Sequence, residues 1–480
     1  MQIRTSQLDH SVFLLRLPAL FKIMAGMAHT LLKRWNLSRL QKLPRFLQRT
    51  SQLCLFLASP VIYGACPDLT TYYQGSDTDW PALEQSLLLL MPECLESSEF
   101  FALLGAAQVN SGEIAESLET LERALLLEPA NGAAQIDYAQ ALFLQGQLFA
   151  ALELNSQLLL RDDLPSSLQP LLQQRQQSWE ALTRQSSLQL DLLAGYDNNL
   201  NSAPDSSQIT LTLSGEPVLL ALNSKFRPVS GPYLNLRFAG RYRQLAPQHQ
   251  HNWLLQTRGR VSEDSQSDTI QLDTRYALVR PDRRHSYQLN AGLSHLLFGG
   301  SPLYTAAETS GRYVPETSMR CKPYYDLALQ YQLYHDNSRL NGVEGKASGG
   351  FNCPYESSWG RQRLSFELGL LENTAVKAGR LGGDRSGFQF NINWQIPVPT
   401  GEIISQFSHT RMKDLDGYSP LLANGAERWV ERSYLLVQYR RQLSSRSAFM
   451  INLFHQNQHS NIELFQSIDT TVEIGLSLAL

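Results

Sequence analysis

From Ser186 to the end of the chain, apolar and polar positions alternate with a period of two. In one segment Leu234, Leu236, Phe238, Gly240 and Tyr242 stand against Asn235, Arg237, Ala239, Arg241 and Arg243. The alternation returns in Ile270, Leu272, Thr274, Tyr276 and Leu278, in Tyr325, Leu327, Leu329, Tyr331 and Leu333, and in Phe388, Phe390, Ile392, Trp394 and Ile396. Each run is about ten residues, the length a tilted strand needs to cross a hydrocarbon layer. A soluble sandwich would hide the apolar face, whereas a membrane barrel turns it to lipid; periodicity is blind to that inversion. Three further features favour the barrel. Aromatic residues fall at the predicted strand ends: Tyr196, Tyr242, Trp253, Tyr287, Tyr324, Tyr355, Trp359, Trp394 and Trp429, where interfacial girdles lie. Short connections, such as Pro281 to Arg284 and Ser444 to Arg446, alternate with long polar ones, such as Lys413 to Arg428. The last predicted strand carries Glu473, Gly475, Leu478 and Leu480, in the polar, glycine, hydrophobic, hydrophobic spacing of a barrel-insertion signal; Leu480 stands where an aromatic is usual. At roughly twenty residues per strand and connection, this region predicts about fourteen antiparallel strands. A lumen of that width is either a channel or plugged.

Upstream the period is helical. Phe101, Leu104, Gly105, Gly112, Ser117, Leu121, Ala124 and Pro129 align with Gln135, Tyr138, Ala139, Gly146, Ala151, Asn155, Leu158 and Asp163 at an offset of 34 residues, a tetratricopeptide register. Gly105 and Ala139 would let paired helices approach, and Gly112 and Gly146 would turn between them. Amphipathic segments on either side would cap the short stack. Most of these positions read as helix packing; a binding face would use Gln108, Gln135 and Gln145.

The first 65 residues read as a targeting segment, with a basic stretch from Lys33 to Arg49, an apolar run from Leu53 to Tyr63, and then Gly64, Ala65 and Cys66. Starts at Met24 or Met27 would shorten the basic part. Cys66 lacks the leucine three positions back that a lipidation site carries, which favours plain cleavage. Without Cys54, four cysteines remain, and proximity pairs Cys66 with Cys94 and Cys321 with Cys353 in an oxidising compartment. The expected fold is α+β and multidomain: a targeting segment over 1–65, a periplasmic tetratricopeptide domain over 66–185, and a transmembrane antiparallel barrel over 186–480.

A formal net charge of −3 argues against a nucleic-acid partner. Beyond the targeting segment no apolar run is long enough for a membrane helix. No cysteine or histidine spacing suggests a metal, and no cofactor is expected. His295 follows Ser294, and His249 and His251 lie in a polar stretch, but no GxSxG, HExxH or phosphate loop accompanies them. An enzyme is not expected.

The segment "LLAGYDNNLNSAP" lies at the predicted first strand, and its Gly195, Tyr196, Asp197, Asn199 and Asn201, with the repeats and the terminal signal, resemble the surface lipoprotein assembly modulator family of Gram-negative outer membranes. The motif's plain physical reading is a turn, because Asp and Asn cap backbone groups. The resemblance implies a fourteen-stranded outer-membrane barrel that helps deliver a lipoprotein or scavenging protein to the cell surface, with its repeats engaging that passenger in the periplasm. Its further partners would be outer-membrane lipids and the barrel-insertion machinery. The alternative is an exopolysaccharide export porin or a general outer-membrane pore. For that reading the candidate lumen residues are Arg237, Arg241, Arg243 and Arg275, with Arg258 and Arg260; ordinary lumen lining, paired with Asp273 and Glu263, is the plainer expectation.

Overall fold

The computed structural model describes residues 66–72, 78–281 and 285–480; the expected targeting segment lies outside them. Among the described residues six α-helices come first: α1 Trp80–Leu90, α2 Ser98–Ser111, α3 Ile114–Leu127, α4 Gly132–Leu144, α5 Leu148–Leu159 and α6 Gln169–Leu182. Asp79, Ser97 and Asn131 cap α1, α2 and α4 by accepting a backbone N–H from Ala82, Phe100 and Ala134, which satisfies donors that the helix itself leaves open. Gly112 and Gly146 turn the chain with φ of 90° and 85°, a region costly for residues with a Cβ. The starts of α2 and α4, and of α3 and α5, each recur after 34 residues. Leu87, Phe100, Leu104 and Leu121 are fully buried between α1, α2 and α3, and a side chain at Gly105 would run into Leu121. Cys66 is disulfide-bonded to Cys94.

Sixteen strands follow: β1 Arg184–Asp197, β2 Gln208–Leu213, β3 Glu216–Ala221, β4 Gly231–Leu245, β5 Gln250–Ser262, β6 Thr269–Pro281, β7 His285–Phe298, β8 Ser301–Pro315, β9 Lys322–Tyr334, β10 Gly342–Ser357, β11 Gly360–Ala375, β12 Arg385–Val398, β13 Gly401–Ser419, β14 Leu422–Gln442, β15 Ser447–Ser460 and β16 Ser467–Ala479. All but the β2–β3 hairpin form the wall, a closed antiparallel barrel of fourteen strands in which β1 pairs with both β4 and β16 and β13 pairs with β14. The barrel begins at Arg184, two residues before the boundary that the sequence suggests.

The wall has a near rim and a far rim. α6 ends at Leu182 and β1 begins at Arg184 on the near rim, where the Leu480 N–H also donates to the Leu188 carbonyl. The disulfide of Cys321 with Cys353 joins the β8–β9 turn to β10 on this side. Between β1 and β4 the chain arches along the far rim, and Leu211 of β2 meets Leu422 at the tip of the β13–β14 hairpin. The sequence marks Lys413 to Arg428 as a loop, but β13 and β14 stay paired through it to Ser419 and Leu422, with two register shifts. The reason is electrostatic: Asp414, 2% exposed, accepts from Arg428 and neighbours Arg385, so the charged stretch is held as sheet.

The apolar set faces out. Leu234, Leu327, Leu368 and Leu370 are 59–68% exposed, while Asp191, Asp197, Asn452 and Glu473 on the opposite face are at most 7% exposed. That inversion distinguishes a membrane barrel from a sandwich. Most of the expected girdle aromatics hold outward positions near a rim, among them Tyr196 at 55% and Tyr355 at 53% exposed. Tyr324 does not: it points inward and is 5% exposed, because two residues earlier than Asp326 it falls on the polar parity of β9.

Candidate functional site: the barrel lumen

Inward side chains of β4, β5 and β6 are stacked in cross-strand rows about 6.8 Å apart along the strands. From far to near, the rows hold Asn235 with Arg260; Arg237 with Arg258 and Gln271; Ala239 with Gln256 and Asp273; Arg241 with Leu254 and Arg275; and Arg243 with Asn252 and Ala277. Arginine thus enters every row but the middle one. All six arginines chosen from the sequence are brought to this stretch of wall.

They are held unequally. Arg237 pairs with Glu473, and Arg260 with Asp197 at 2.9 Å. Arg258 is 3.4 Å from Asp273 and its side chain is 46% exposed. Glu263, the other carboxylate expected to pair with these arginines, lies in the β5–β6 turn. Arg243 donates to Gln185. Arg241 and Arg275 are exposed to the lumen, and neither has an ion-pair partner among the described residues. Charge without a fixed partner is therefore concentrated toward the near rim.

On the far side lies a cavity of about 850 Å³. Its charged residues, Asp197, Arg237, Arg258, Arg260, Asp469 and Glu473, lie on and beside β16, β1, β4 and β5, flanked by apolar Leu296 and Phe298 on β7 and by Tyr434, Leu436 and Phe454 on β14 and β15. Glu473 is the hub of the charged residues. Its carboxylate accepts from Tyr233 Oη at 2.9 Å, Asn235 at 2.7 Å, Asn452 at 2.8 Å, and Arg237. The row is Glu473, Gly195, Tyr233 on β16, β1 and β4. A Cβ on Gly195 would lie 2.7 Å from the Tyr233 ring, so glycine is what lets tyrosine cross the middle strand to its glutamate.

The same row occurs a second time, as Glu367, Gly350, Tyr324 on β11, β10 and β9. Tyr324 Oη donates to Glu367 at 3.2 Å, and Lys346 and Asn391 complete the carboxylate's partners.

The first-strand motif folds the β1–β4 connection onto the far rim. Asp197 Oδ1 accepts the Asn199 N–H at 2.7 Å; Asn199 donates to the Ala203 and Ile468 carbonyls; Asn201 donates to the Arg227 carbonyl. Tyr196 faces outward. The motif's polar members therefore satisfy backbone groups, as Asp and Asn do in turns.

The three glutamines differ in exposure and in partners. Gln108 is 6% exposed; Gln135 donates to the Pro129 carbonyl and accepts from Arg161; Gln145 lies at the C-terminal end of α4. On the same element, burial pushes the Asp137 carboxyl up to about 6, opposed by the nearby Arg175 charge. Ser294 and His295 point to opposite sides of the wall: Ser294 donates inward to Asp273 and His295 meets Thr305 outside. Alternation thus separates this pair. Sequence reasoning missed Tyr233, Gly350, Glu367 and Asp414, and read Glu473 only as part of a terminal signal.

No family model matches the chain, and no curated protein does. Solved structures do. The anion-selective porin from Comamonas acidovorans is 12% identical over 62% of this chain and 99% of its own, with a TM-score of 0.31. Pseudomonas putida OprB is 7% identical over 64% of this chain and 96% of its own, at 0.33, and Acinetobacter baumannii OccAB3 is 7% identical over 62% and 99%, also at 0.33. What fold and lumen define on their own is a fourteen-stranded membrane β-barrel with a polar, arginine-lined interior, preceded by a helical region.

Proposed function

We propose that this protein is a channel of a Gram-negative outer membrane, passing small hydrophilic solutes with a preference for anions, its helical region on the periplasmic side. The observation that carries this reading is the set of arginine rows on β4 to β6, with Arg241 and Arg275 exposed in one row. A fixed positive charge in a narrow aqueous path lowers the barrier for anions and raises it for cations. Reversal potentials across planar bilayers under a salt gradient test it. Wild type is expected to favour chloride over potassium, and Arg241→Gln/Arg275→Gln to lower that ratio by about two-fold or more. A folded barrel without conductance, or with an unchanged ratio in the variant, would sink the proposal.

A second reading, delivery of a lipoprotein or scavenging protein to the cell surface, draws support from the helices. Their 34-residue recurrence suits tetratricopeptide repeats, which engage extended or helical partners. Protease shaving of intact cells separates the readings. A candidate lipoprotein that becomes accessible only when this chain is present favours delivery, and unchanged exposure beside a conducting barrel favours the channel.

A further inference from the structure

On the outer face of β4 to β6, side chains fall into three tiers from mid-wall to the near rim. The first is a groove of about 710 Å³ bounded by Leu188, Phe238, Leu255 and Leu293 around Gly240. A Cβ at Gly240 would lie 3.3 Å from Leu188 Cδ2, so a larger side chain there would occupy the groove. The second tier is the cross-strand row Tyr242, Trp253, Tyr276, with successive rings 5.4 and 5.3 Å apart. The third tier, nearer the rim, is the row Arg184, Gln244, His251. There His251 Nδ1 lies 2.8 Å from Tyr276 Oη, and the His249 ring lies 5.7 Å from that of His251.

The charge on this face has one sign. Among the described residues no Asp or Glu takes an outward position on β4, β5 or β6. At the far rim the outer face of β13 and β14 is different: Arg411 pairs with Glu431 and Lys413 with Glu427.

We infer that this face holds an anionic phospholipid, with an acyl chain in the groove, its glycerol region against the aromatic row, and its phosphate at Arg184 and His251. The order of the tiers is the order of chemistry along such a lipid, from hydrocarbon through interface to anion. Arg184 supplies the charge complementarity that a zwitterionic lipid would use less well. The inference rests on the reading of the wall as membrane-spanning and is independent of what the lumen passes.

The full chain, reconstituted into vesicles, tests this with brominated phosphatidylglycerol or brominated phosphatidylcholine as quencher. The fluorescence lost in Trp253→Phe identifies the Trp253 signal among the protein's seven tryptophans. Phosphatidylglycerol is expected to quench that signal at a mole fraction roughly five-fold lower, the preference one basic residue at a membrane surface confers. Gly240→Leu, which fills the groove, and Arg184→Gln/His251→Gln, which removes the headgroup contacts, are each expected to abolish the preference while the barrel stays folded. Equal quenching by both lipids overturns the inference, as does a preference that survives both variants. Displacement of phosphatidylglycerol by an equal mole fraction of lipopolysaccharide also overturns it. No quenching of Trp253 by either lipid overturns the membrane-spanning reading as well, which distinguishes the two failures.

Discussion

The two Glu–Gly–Tyr rows are alike in composition and unlike in place. Glu473, Gly195 and Tyr233 span β16, β1 and β4, across the seam where the last strand meets the first. Glu367, Gly350 and Tyr324 span β11, β10 and β9, in the middle of continuous wall. Glu473 has four donors and a side chain 6% exposed; Glu367 has three and is 12% exposed. A hairpin inside the wall is already joined by a turn, so its row adds to a local contact. The seam joins strands far apart in sequence, and its row helps to offset the loop-closure entropy of the whole barrel.

The largest expected effect separates the two glutamates. Removing Glu473 leaves Arg237, Asn235, Asn452 and Tyr233 without their shared acceptor, so Glu473→Ala should cost about 3 kcal/mol and Glu367→Ala about half of that. Urea titration of the reconstituted chain, read by heat-modifiable gel mobility, measures both. Equal losses would mean that the seam confers nothing extra.

Next come the glycines. Gly195→Ala should cost about 1 to 3 kcal/mol, and Tyr233→Ala in the same chain should relieve most of the strain, because the three atoms nearest the added Cβ all belong to the Tyr233 side chain. At Gly350 the added Cβ would also run into the Phe366 carbonyl oxygen, so Tyr324→Ala should give little relief. A double-mutant cycle at each row decides this, and similar coupling in both would break the contrast.

The smallest effect comes from a carboxylate without such a clamp. Asp137 lies beside Arg175 with its carboxyl raised to about 6, against about 3.9 in an unfolded chain. Between those values the folded state binds more protons, so stability falls as pH rises from about 4 to about 6 and the penalty is complete above. Asp137→Asn should remove that slope and stabilise the helices by about 1 to 2 kcal/mol at neutral pH. Thermal melts of the full chain at pH 5 and pH 7.5, followed by far-ultraviolet circular dichroism, test it; parallel shifts at both pH values would show that burial of Asp137 is not the cause.

The wall was legible because parity is a one-dimensional property: once Leu234 is outward, so is Leu236, and Arg237 is not. Both disulfide pairings and the strand count also followed from order along the chain. The Glu–Gly–Tyr rows did not, because a row depends on register between strands, and register is set by turns whose lengths the alternation does not specify. Gly195 was noticed for a turn it does not make, its φ being unremarkable beside the close approach of Tyr233. Lys413 to Arg428 looked like a loop because its charges suggest solvent; the sheet instead folds Asp414 and Arg428 against each other. The three glutamines were chosen by residue type on helix faces, and burial of Gln108 depends on which neighbour each face meets.

The row of Ala239, Gln256 and Asp273 interrupts the arginines of β4 to β6. Adjacent rows are about 6.8 Å apart, less than the screening length of about 8 Å in physiological salt, so guanidinium potentials in neighbouring rows merge into one trough. Across the interruption the separation is about 14 Å, well beyond that length, and the carboxylate of Asp273 stands in the gap. For the anion passage proposed above, that row is the electrostatic barrier along this wall, and lowering the salt should change its height relative to the troughs on either side.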